Sequence, residues 1–189
     1  MRRRSLVRRL TQTPHNFNHY QSPAALDAIK SKSMSTSKTF NILGADHTGI
    51  TVSNLEKSLA FWRNVLGLEF SHSTHQKGGV AELITGVKGA ELKLAVVKTP
   101  TGHKIELLEY LAPADREKGN TLRPCDVGHV HVALTVENLD SLLEKIAASG
   151  WNAAGEPQSL TSGPNAGKRV IYVRDPDGTT IEFMEIPSR

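Results

Sequence analysis

Apolar and polar positions alternate along several short segments of this chain, and segments with a helical period separate them. Residues 46–52 alternate as a strand, with Ile50 and Val52 on one face and His47 on the other. Apolar residues then recur at helical spacing until Gly67, a typical helix terminator, and these residues are Leu55, Leu59, Trp62 and Leu66. The pattern further predicts a strand over 68–73, a polar loop over 74–79, a short helix over 80–84, and strands over 90–98 and 104–111.

The second half of the chain shows the same order of elements. The pattern predicts a strand over 128–136, a helix over 138–149 that ends at Gly150, a strand over 151–157, a loop over 161–167, and strands over 168–173 and 179–186. Between the halves, the segment 113–127 is charged, contains Pro113, Pro124 and Gly119, and has no period. It therefore reads as a linker.

The two halves also share residues at fixed offsets. His47-Thr-Gly-Ile-Thr-Val-Ser-Asn-Leu55 returns as His131-Val-Ala-Leu-Thr-Val-Glu-Asn-Leu139, a shift of 84 residues. Each half then closes on an Ile-Glu strand, at Glu106 and at Glu182. Such self-similarity indicates a duplicated supersecondary unit. We therefore expect an α+β fold of two tandem βαβββ modules, module 1 over residues 41–112 and module 2 over residues 128–189.

Strand parity assigns a face to each of the repeated polar residues. Because successive side chains of a strand point to opposite faces, Glu106 opposes Ile105 and Leu107, and Glu182 opposes Ile181 and Phe183. His47 and His131 likewise oppose the apolar residues of their own strands. All four residues therefore belong to the face turned away from the helix of their module, which we call the histidine face. Glu109 and Glu185 fall on the other face and are excluded as partners of the histidines.

Two imidazoles and two carboxylates form a ligand set suited to a divalent ion such as Zn, Ni, Co, Mn or Fe(II). We expect the two sheets to form one cupped surface that brings His47, Glu106, His131 and Glu182 onto one metal ion. Four protein ligands on an octahedral ion leave two positions for water or a substrate oxygen, as a catalytic ion requires. Leu108, Tyr110 and Met184 share the histidine face and would give the cup an apolar wall. His72, His75, His103 and His129 are interpreted as ordinary surface residues, His129 being at most a secondary contact of the site.

The charge of the chain is unevenly distributed. Residues 1–45 hold five Arg and three Lys against one Asp, a net charge of +7, while the other 144 residues hold 15 basic and 18 acidic side chains, a net charge of −3. The folded part therefore lacks the basic surface typical of nucleic-acid binding. The chain has no apolar run long enough to cross a membrane, so neither nucleic acid nor membrane is expected as a partner.

Residues 1–40 form a basic N-terminal extension that is rich in Arg and Ser. This composition is typical of an organelle transit peptide or of a disordered tail. Cys125 is the single cysteine of the 189 residues, which fits a reducing compartment. We expect an intracellular protein, mitochondrial if the extension is a transit peptide and otherwise cytoplasmic.

From Ala45 to Ile186 the chain resembles the vicinal oxygen chelate superfamily, which includes glyoxalase I, methylmalonyl-CoA epimerase, resistance proteins and extradiol dioxygenases. The motifs that carry the resemblance are Asp46-His-Thr-Gly-Ile-Thr-Val, Leu59-Ala-Phe-Trp-Arg-Asn-Val-Leu-Gly-Leu68, Ile105-Glu-Leu-Leu-Glu-Tyr, His131-Val-Ala-Leu-Thr-Val and Arg174-Asp-Pro-Asp-Gly-Thr-Thr-Ile-Glu182. The resemblance implies paired modules that form a cupped, half-open mixed β-barrel with one divalent ion, held by the same four residues.

The resemblance also implies a chemistry. All four ligand positions of the glyoxalase I and epimerase branches are filled, so a lyase or isomerase of lactoylglutathione lyase type is expected, with a methylmalonyl-CoA epimerase-like enzyme or a non-catalytic ligand-binding or resistance protein as alternatives. In a glyoxalase-like reaction Glu182 moves a proton beside a metal-bound carbonyl, and Glu106 shares the role. The substrate would be a small molecule, such as a glutathione adduct or a coenzyme A thioester, and the protein a homodimer.

Overall fold

The computed structural model of the protein describes residues 39–119 and 121–186. The segment 1–38, and with it nearly all of the N-terminal extension, lies outside the described residues, so the transit-peptide interpretation stays a prediction. From Gly44 onward the described residues form one compact unit. Within the described part, no helix has the length and apolar character needed to cross a membrane.

Module 1 contains four strands and two short helices. Its elements in chain order are β1 His47–Thr51, α1 Leu55–Ala60, β2 Glu69–Lys77, α2 Gly79–Thr85, β3 Glu91–Lys98 and β4 Lys104–Ala112. A π-helical turn over Phe61–Val65 continues α1, and Leu66 caps it. The apolar spacing thus predicted the extent of this helix. Its last part is a π-helical turn, which is wider than an α-helical one.

Module 2 begins and ends with the equivalent elements, but it has one longer helix, and two two-residue strands stand where module 1 has β2 and α2. Its elements are β5 His131–Val136, α3 Leu139–Ala148, β6 Asn152–Ala153, β7 Gln158–Ser159, β8 Arg169–Arg174 and β9 Thr180–Glu185. Residues 113–119 and 121–130, which join the modules, contain neither helix nor strand.

Each module forms one mixed sheet with the same topology. The strand order is β1-β4-β3-β2 in module 1 and β5-β9-β8-β6 in module 2, where β7 also pairs with β8. In both sheets the first strand runs parallel to the last, and the other pairs are antiparallel. The α+β architecture of two repeated sheets is therefore confirmed, with cupped sheets rather than a closed barrel.

One apolar core connects the two modules. Residues on the helix-facing side of both sheets belong to it, including Ile105, Leu107, Ile181 and Phe183, none of which is more than 1% exposed. The ring of Phe61 at the end of α1 stacks on Trp151 of module 2, with 3.5 Å between ring centroids. The predicted parity is therefore borne out, because the apolar partners of the candidate ligands fill the core.

The helices of the two modules are capped by equivalent glutamates. Glu109 on β4 accepts a hydrogen bond from the backbone N–H of Leu55 at 3.1 Å, and Glu185 on β9 accepts one from Leu139 at 2.7 Å. A carboxylate at a helix N-terminus satisfies a free N–H group and complements the helix dipole. The two glutamates that parity excluded as histidine partners thus have a duplicated structural role.

The structure corrects the sequence analysis at the outer strands. The predicted polar loop over 74–79 is wrong, because residues 74–77 continue β2 and pair with β3. An edge strand with mostly exposed side chains needs no apolar alternation, so its sequence resembled a loop. The strand predicted over 151–157 is also wrong in extent. It is replaced by the two-residue strands β6 and β7, which pair with different parts of β8.

The turn between β8 and β9 buries an acidic side chain. Asp175 is 8% exposed and accepts a hydrogen bond from the backbone N–H of Thr179 at 2.7 Å. Burial raises the pKa of Asp175 to about 6, and the nearby charge of Asp177 adds to this effect. Asp177 also accepts a hydrogen bond from the backbone N–H of Ser53 at 2.7 Å, which links this turn to module 1.

We expect Asp175 to make the protein less stable as the pH rises from about 4 to about 6. The folded state holds the proton of Asp175 more tightly than the unfolded state, so its contribution is lost as the pH passes from the unfolded to the folded pKa. The loss is on the order of 2–3 kcal/mol. Substitution Asp175→Asn, which keeps an acceptor for Thr179, should remove this loss and leave the variant more stable than the wild type at pH 7.

The measurement is the free energy of unfolding in urea at pH 4, 5, 6 and 7. Replacing the exposed Asp115 with Asn provides the control and should retain the wild-type difference between pH 4 and pH 6. An Asp175→Asn variant with the wild-type pH dependence would contradict the prediction.

Candidate metal centre

Each module brings its own histidine and glutamate together. In module 1, His47 Nε2 lies 3.4 Å from Glu106 Oε2, and in module 2, His131 Nε2 lies 3.2 Å from Glu182 Oε2. We call these the module 1 pair and the module 2 pair. Their side chains are between 17% and 43% exposed, so both pairs are accessible from solvent.

The register of the parallel strands explains this geometry. Glu106 on β4 lies opposite Gly49 of β1, and Glu182 on β9 lies opposite Ala133 of β5. Each histidine is two residues before that small residue on the same face. The two pairs are therefore built in the same way.

The spacing within each pair fits two ligand atoms bound to the same metal ion. Two ligand atoms that each lie about 2.1 Å from one ion, at an angle of 90° to 110°, are roughly 3.0–3.4 Å apart. The observed distances of 3.4 and 3.2 Å lie in this range and exceed the usual N–H···O distance of about 2.9 Å. Imidazole nitrogen and carboxylate oxygen are also an appropriate donor set for the divalent ions expected from the sequence.

The two pairs do not meet within one chain. Among residues 39–119 and 121–186, no group of three or more His, Cys, Asp or Glu side chains is close enough to hold one ion. A cleft of about 570 Å³ is lined by residues of β1, by Val130, His131 and Val132, and by the linker residues 116–119. The structure thus forms two half-sites, and the prediction of one four-residue centre stays a prediction.

The histidine of module 1 is oriented by charged neighbours. His47 Nδ1 donates a hydrogen bond to Asp46 Oδ1 at 2.9 Å, given the tautomer that leaves Nε2 free toward Glu106. Lys104 Nζ donates to the same oxygen at 2.7 Å. The hydrogen bond from Lys104, and then the one from His47, lower the pKa of Asp46 below its usual value. A carboxylate on the outer nitrogen is the common support for a metal-binding histidine, because it fixes the tautomer and the ring orientation.

The module 2 pair has an aromatic neighbour that the sequence analysis did not identify. Tyr172 on β8 lies directly opposite Glu182 in the β8–β9 register, and its ring centroid is 5.0 Å from that of His131. Burial, and then the negative charge of Glu182, raise the pKa of the Tyr172 phenol. Parity along β8 would have put Tyr172 on the histidine face, but its position opposite Glu182 depends on the strand register.

The other histidines near these strands, and the apolar residues of the histidine face, have structural roles. His103 Nε2 is 2.9 Å from the hydroxyl of Thr48, and His129 Nε2 is 2.9 Å from the hydroxyl of Thr180. The ring of His129 lies 6.5 Å from that of His131, which agrees with a secondary contact rather than a ligand. Leu108 and Tyr110 pack against an apolar cluster that consists of Ala81, Ala90, Leu92, Leu94 and Val96. The expected apolar wall thus exists in module 1, where Ala81 of α2 belongs to it.

Two repeated βαβββ modules with a His–Glu pair on equivalent strands define the class of fold, and comparison with known proteins identifies its family. Residues 44–183 match the family described as the glyoxalase/bleomycin resistance protein/dioxygenase superfamily. The chain therefore belongs to that superfamily, and the resemblance noted from the sequence motifs is confirmed.

Individual relatives are distant but cover most of the chain. A 2-epi-5-epi-valiolone epimerase from an Actinomyces species is 28% identical over 146 residues, which are 75% of this chain and 79% of that protein. A lactoylglutathione lyase from Salmonella typhimurium is 29% identical over 139 residues, 74% of this chain and 90% of that protein. A crystal structure of a glyoxalase family protein from Bacillus cereus is 26% identical, covers 79% of this chain and 98% of that chain, and has a TM-score of 0.69.

Proposed function

We propose that this protein is a metal-dependent lyase or isomerase that moves a proton on the carbon next to a carbonyl group, by way of an enediolate or enolate. The observation that carries the proposal is the pair of equivalent His–Glu half-sites, at 3.4 and 3.2 Å, on the same face of two repeated sheets. The lactoylglutathione lyase among the relatives supports the same chemistry.

The residues of the two His–Glu pairs would have two roles, which are binding a divalent ion and moving a proton. His47, Glu106, His131 and Glu182 would hold one divalent ion, which when bound polarises a substrate carbonyl and stabilises negative charge on its oxygen. Glu182 takes the proton from the neighbouring carbon and returns it, because its carboxylate is 17% exposed and reachable by a substrate. Glu106, which is 22% exposed in the equivalent position, shares this role. The flanking strands hold both carboxylates at fixed positions, so the proton is moved between defined atoms.

The best-supported substrate is an α-oxygenated carbonyl compound such as the hemithioacetal of methylglyoxal and glutathione. A second candidate is an epimerase reaction, because one relative is named an epimerase. The epimerase considered from the sequence alone acts beside a coenzyme A thioester. Both reactions require the same proton abstraction and differ in the carbon to which the proton returns.

Incubation with separate substrates in deuterated water distinguishes these functions. The full chain, loaded with Ni²⁺ or Zn²⁺, would be supplied with methylglyoxal and glutathione, with methylmalonyl-CoA, and with 2-epi-5-epi-valiolone. Thioester formation supports the lyase, and deuterium incorporation with inversion supports an epimerase. A protein that binds these compounds without deuterium exchange would be a non-catalytic binder, and the proposal would be wrong.

Substitution Glu182→Gln should reduce turnover about 100- to 10,000-fold, because an amide cannot accept the proton. The amide oxygen remains a metal donor, so some metal binding should persist. The measurement is the initial rate on the active substrate together with the Ni²⁺ content after dialysis.

Glu185→Gln provides the matched control on the same strand. Glu185 caps α3 from the opposite face, and a glutamine keeps an oxygen for the N–H of Leu139. This variant should retain turnover near the wild-type value. Near wild-type turnover in Glu182→Gln would contradict the assignment of the base.

We further propose that the four ligands meet in a homodimer, where the module 1 pair of one copy faces the module 2 pair of the other. The separation of the two pairs within one chain supports this arrangement. The two exposed pairs leave their ligand atoms accessible to a second copy.

Mixing two inactive variants tests the shared site. His47→Ala removes a ligand of module 1, and His131→Ala removes a ligand of module 2, so each variant alone should lose activity. In a mixed dimer one site combines both defects and the other keeps all four ligands. An equimolar mixture, unfolded and refolded together, should therefore recover about one quarter of the wild-type activity, since about half of the dimers are mixed.

A wild-type sample taken through the same unfolding and refolding provides the control. No recovery in the mixture, with full recovery in the control, would show that the ligands come from a single chain.

A further inference from the structure

The module 1 and module 2 pairs have the same internal geometry but different surroundings. The strand registers identify equivalent positions in the two modules. Lys104 pairs with His47 in module 1, and Thr180 pairs with His131 in module 2. Position 46 in module 1 corresponds to position 130 in module 2, since each residue directly precedes the histidine of its repeat. The supports of the two histidines can thus be compared residue by residue.

The charged support of His47 is not repeated at the equivalent positions 130 and 180 of module 2. Asp46, which accepts from His47 Nδ1 at 2.9 Å, is replaced by Val130, whose side chain forms no hydrogen bonds. Lys104, which holds Asp46 at 2.7 Å, is replaced by Thr180, which contacts His129 instead. His131 therefore needs another source of orientation.

An aromatic ring is present where module 1 has an aliphatic side chain. Glu106 lies opposite Val96 in the β3–β4 register, and Glu182 lies opposite Tyr172 in the equivalent β8–β9 register. The ring of Tyr172 is 5.0 Å from the ring of His131, with an angle of 38° between their planes. Ring pairs at this separation attract each other beyond their buried area and prefer particular orientations. Because Tyr172 is on the strand next to Glu182, one side chain adjoins both members of the module 2 pair.

We propose that Tyr172 is the positioning residue of the module 2 pair, and that its aromatic ring orients His131 where a carboxylate orients His47. This inference rests on the proposed metal centre and extends it. It also makes the two halves of the centre unequal. A hydrogen-bonded carboxylate increases the donor strength of a metal-binding histidine as well as orienting it, whereas a packed ring only orients it. Module 2 would therefore be the weaker half of the ligand shell, which favours Glu182 over Glu106 as the principal base.

Two variants of Tyr172 separate the ring from the hydroxyl group. Tyr172→Phe keeps the ring, and Tyr172→Leu removes it while keeping an apolar side chain. We expect Tyr172→Leu to bind Ni²⁺ about tenfold more weakly than the wild type, which is the lower end of the effect of supporting residues on metal affinity. Tyr172→Phe should bind within about threefold of the wild type. The affinity is measured on the full chain by competition with a chelator, with Ni²⁺ alone as the probe.

Phe70→Leu is the matched control, because it removes an aromatic ring from the edge strand β2, where Phe70 contacts Arg63 rather than either His–Glu pair. Its Ni²⁺ affinity should equal that of the wild type. The thermal midpoint of all three variants shows whether the fold is intact. Equal affinities for the wild type and Tyr172→Leu, or equal losses in Tyr172→Leu and Tyr172→Phe, would overturn the proposal.

A second measurement needs no metal and separates this inference from the proposed function. In the metal-free protein, the imidazole C–H proton signals of His131, assigned by their loss in His131→Gln, should be displaced by the ring current of Tyr172. The displacement should persist in Tyr172→Phe and disappear in Tyr172→Leu. If this pattern is observed in a protein that does not bind Ni²⁺, the proposed metal centre fails while the ring contact stands. Unchanged signals in Tyr172→Leu would overturn the contact itself.

Discussion

The parallel pairing of the first and last strands of each module is the constraint on which the rest depends. It places each histidine two residues before the small residue that faces the glutamate, so the two side chains converge diagonally. A slip of one residue would turn Glu106 into the apolar core in place of Ile105, which is fully buried. Burying an unpaired carboxylate costs several kcal/mol, so the apolar face of the strand fixes the position of the polar one. Fold stability and the geometry of the half-sites therefore have the same origin.

The contacts between modules explain why the half-sites form separately. The modules are joined through their helix-facing sides, where Phe61 stacks on Trp151 within a continuous core. Across from this core, residues of β1 and β5 line a cleft of about 570 Å³ instead of pairing with each other. Core contacts fix the modules at one side and leave the strand edges apart. The geometry of each His–Glu pair is determined by the strand register within its own sheet. It does not depend on the distance between the two sheets.

The sequence predicted the features that depend on neighbouring residues in the chain, and it did not predict those that depend on contacts between distant strands. The duplicated strands, the helices and the face of each candidate ligand depend on local periodicity, and the structure bears out that parity. The predictions for the outer strands were wrong where pairing with a neighbouring strand overrides a polar sequence, as it does between residues 74–77 and β3. Tyr172 could not be placed at the site because its position opposite Glu182 is a register between two strands. The meeting of all four ligands depends on packing between sheets or chains, which no local pattern contains.

The duplication has diverged unequally in its structural and chemical positions. Glu109 and Glu185 both cap the helix of their module, so the contacts that hold each module together have been kept in both copies. The supports of the two histidines have not been kept, since a charged pair serves His47 and an aromatic ring adjoins His131. A structural ion would gain nothing from such a difference, because equal ligands hold it equally well. The proposed proton transfer would gain from it, because a principal base and a second carboxylate would then have different surroundings. The unequal surroundings of two otherwise equal pairs therefore fit the proposed proton transfer better than they fit a purely structural role for the two pairs.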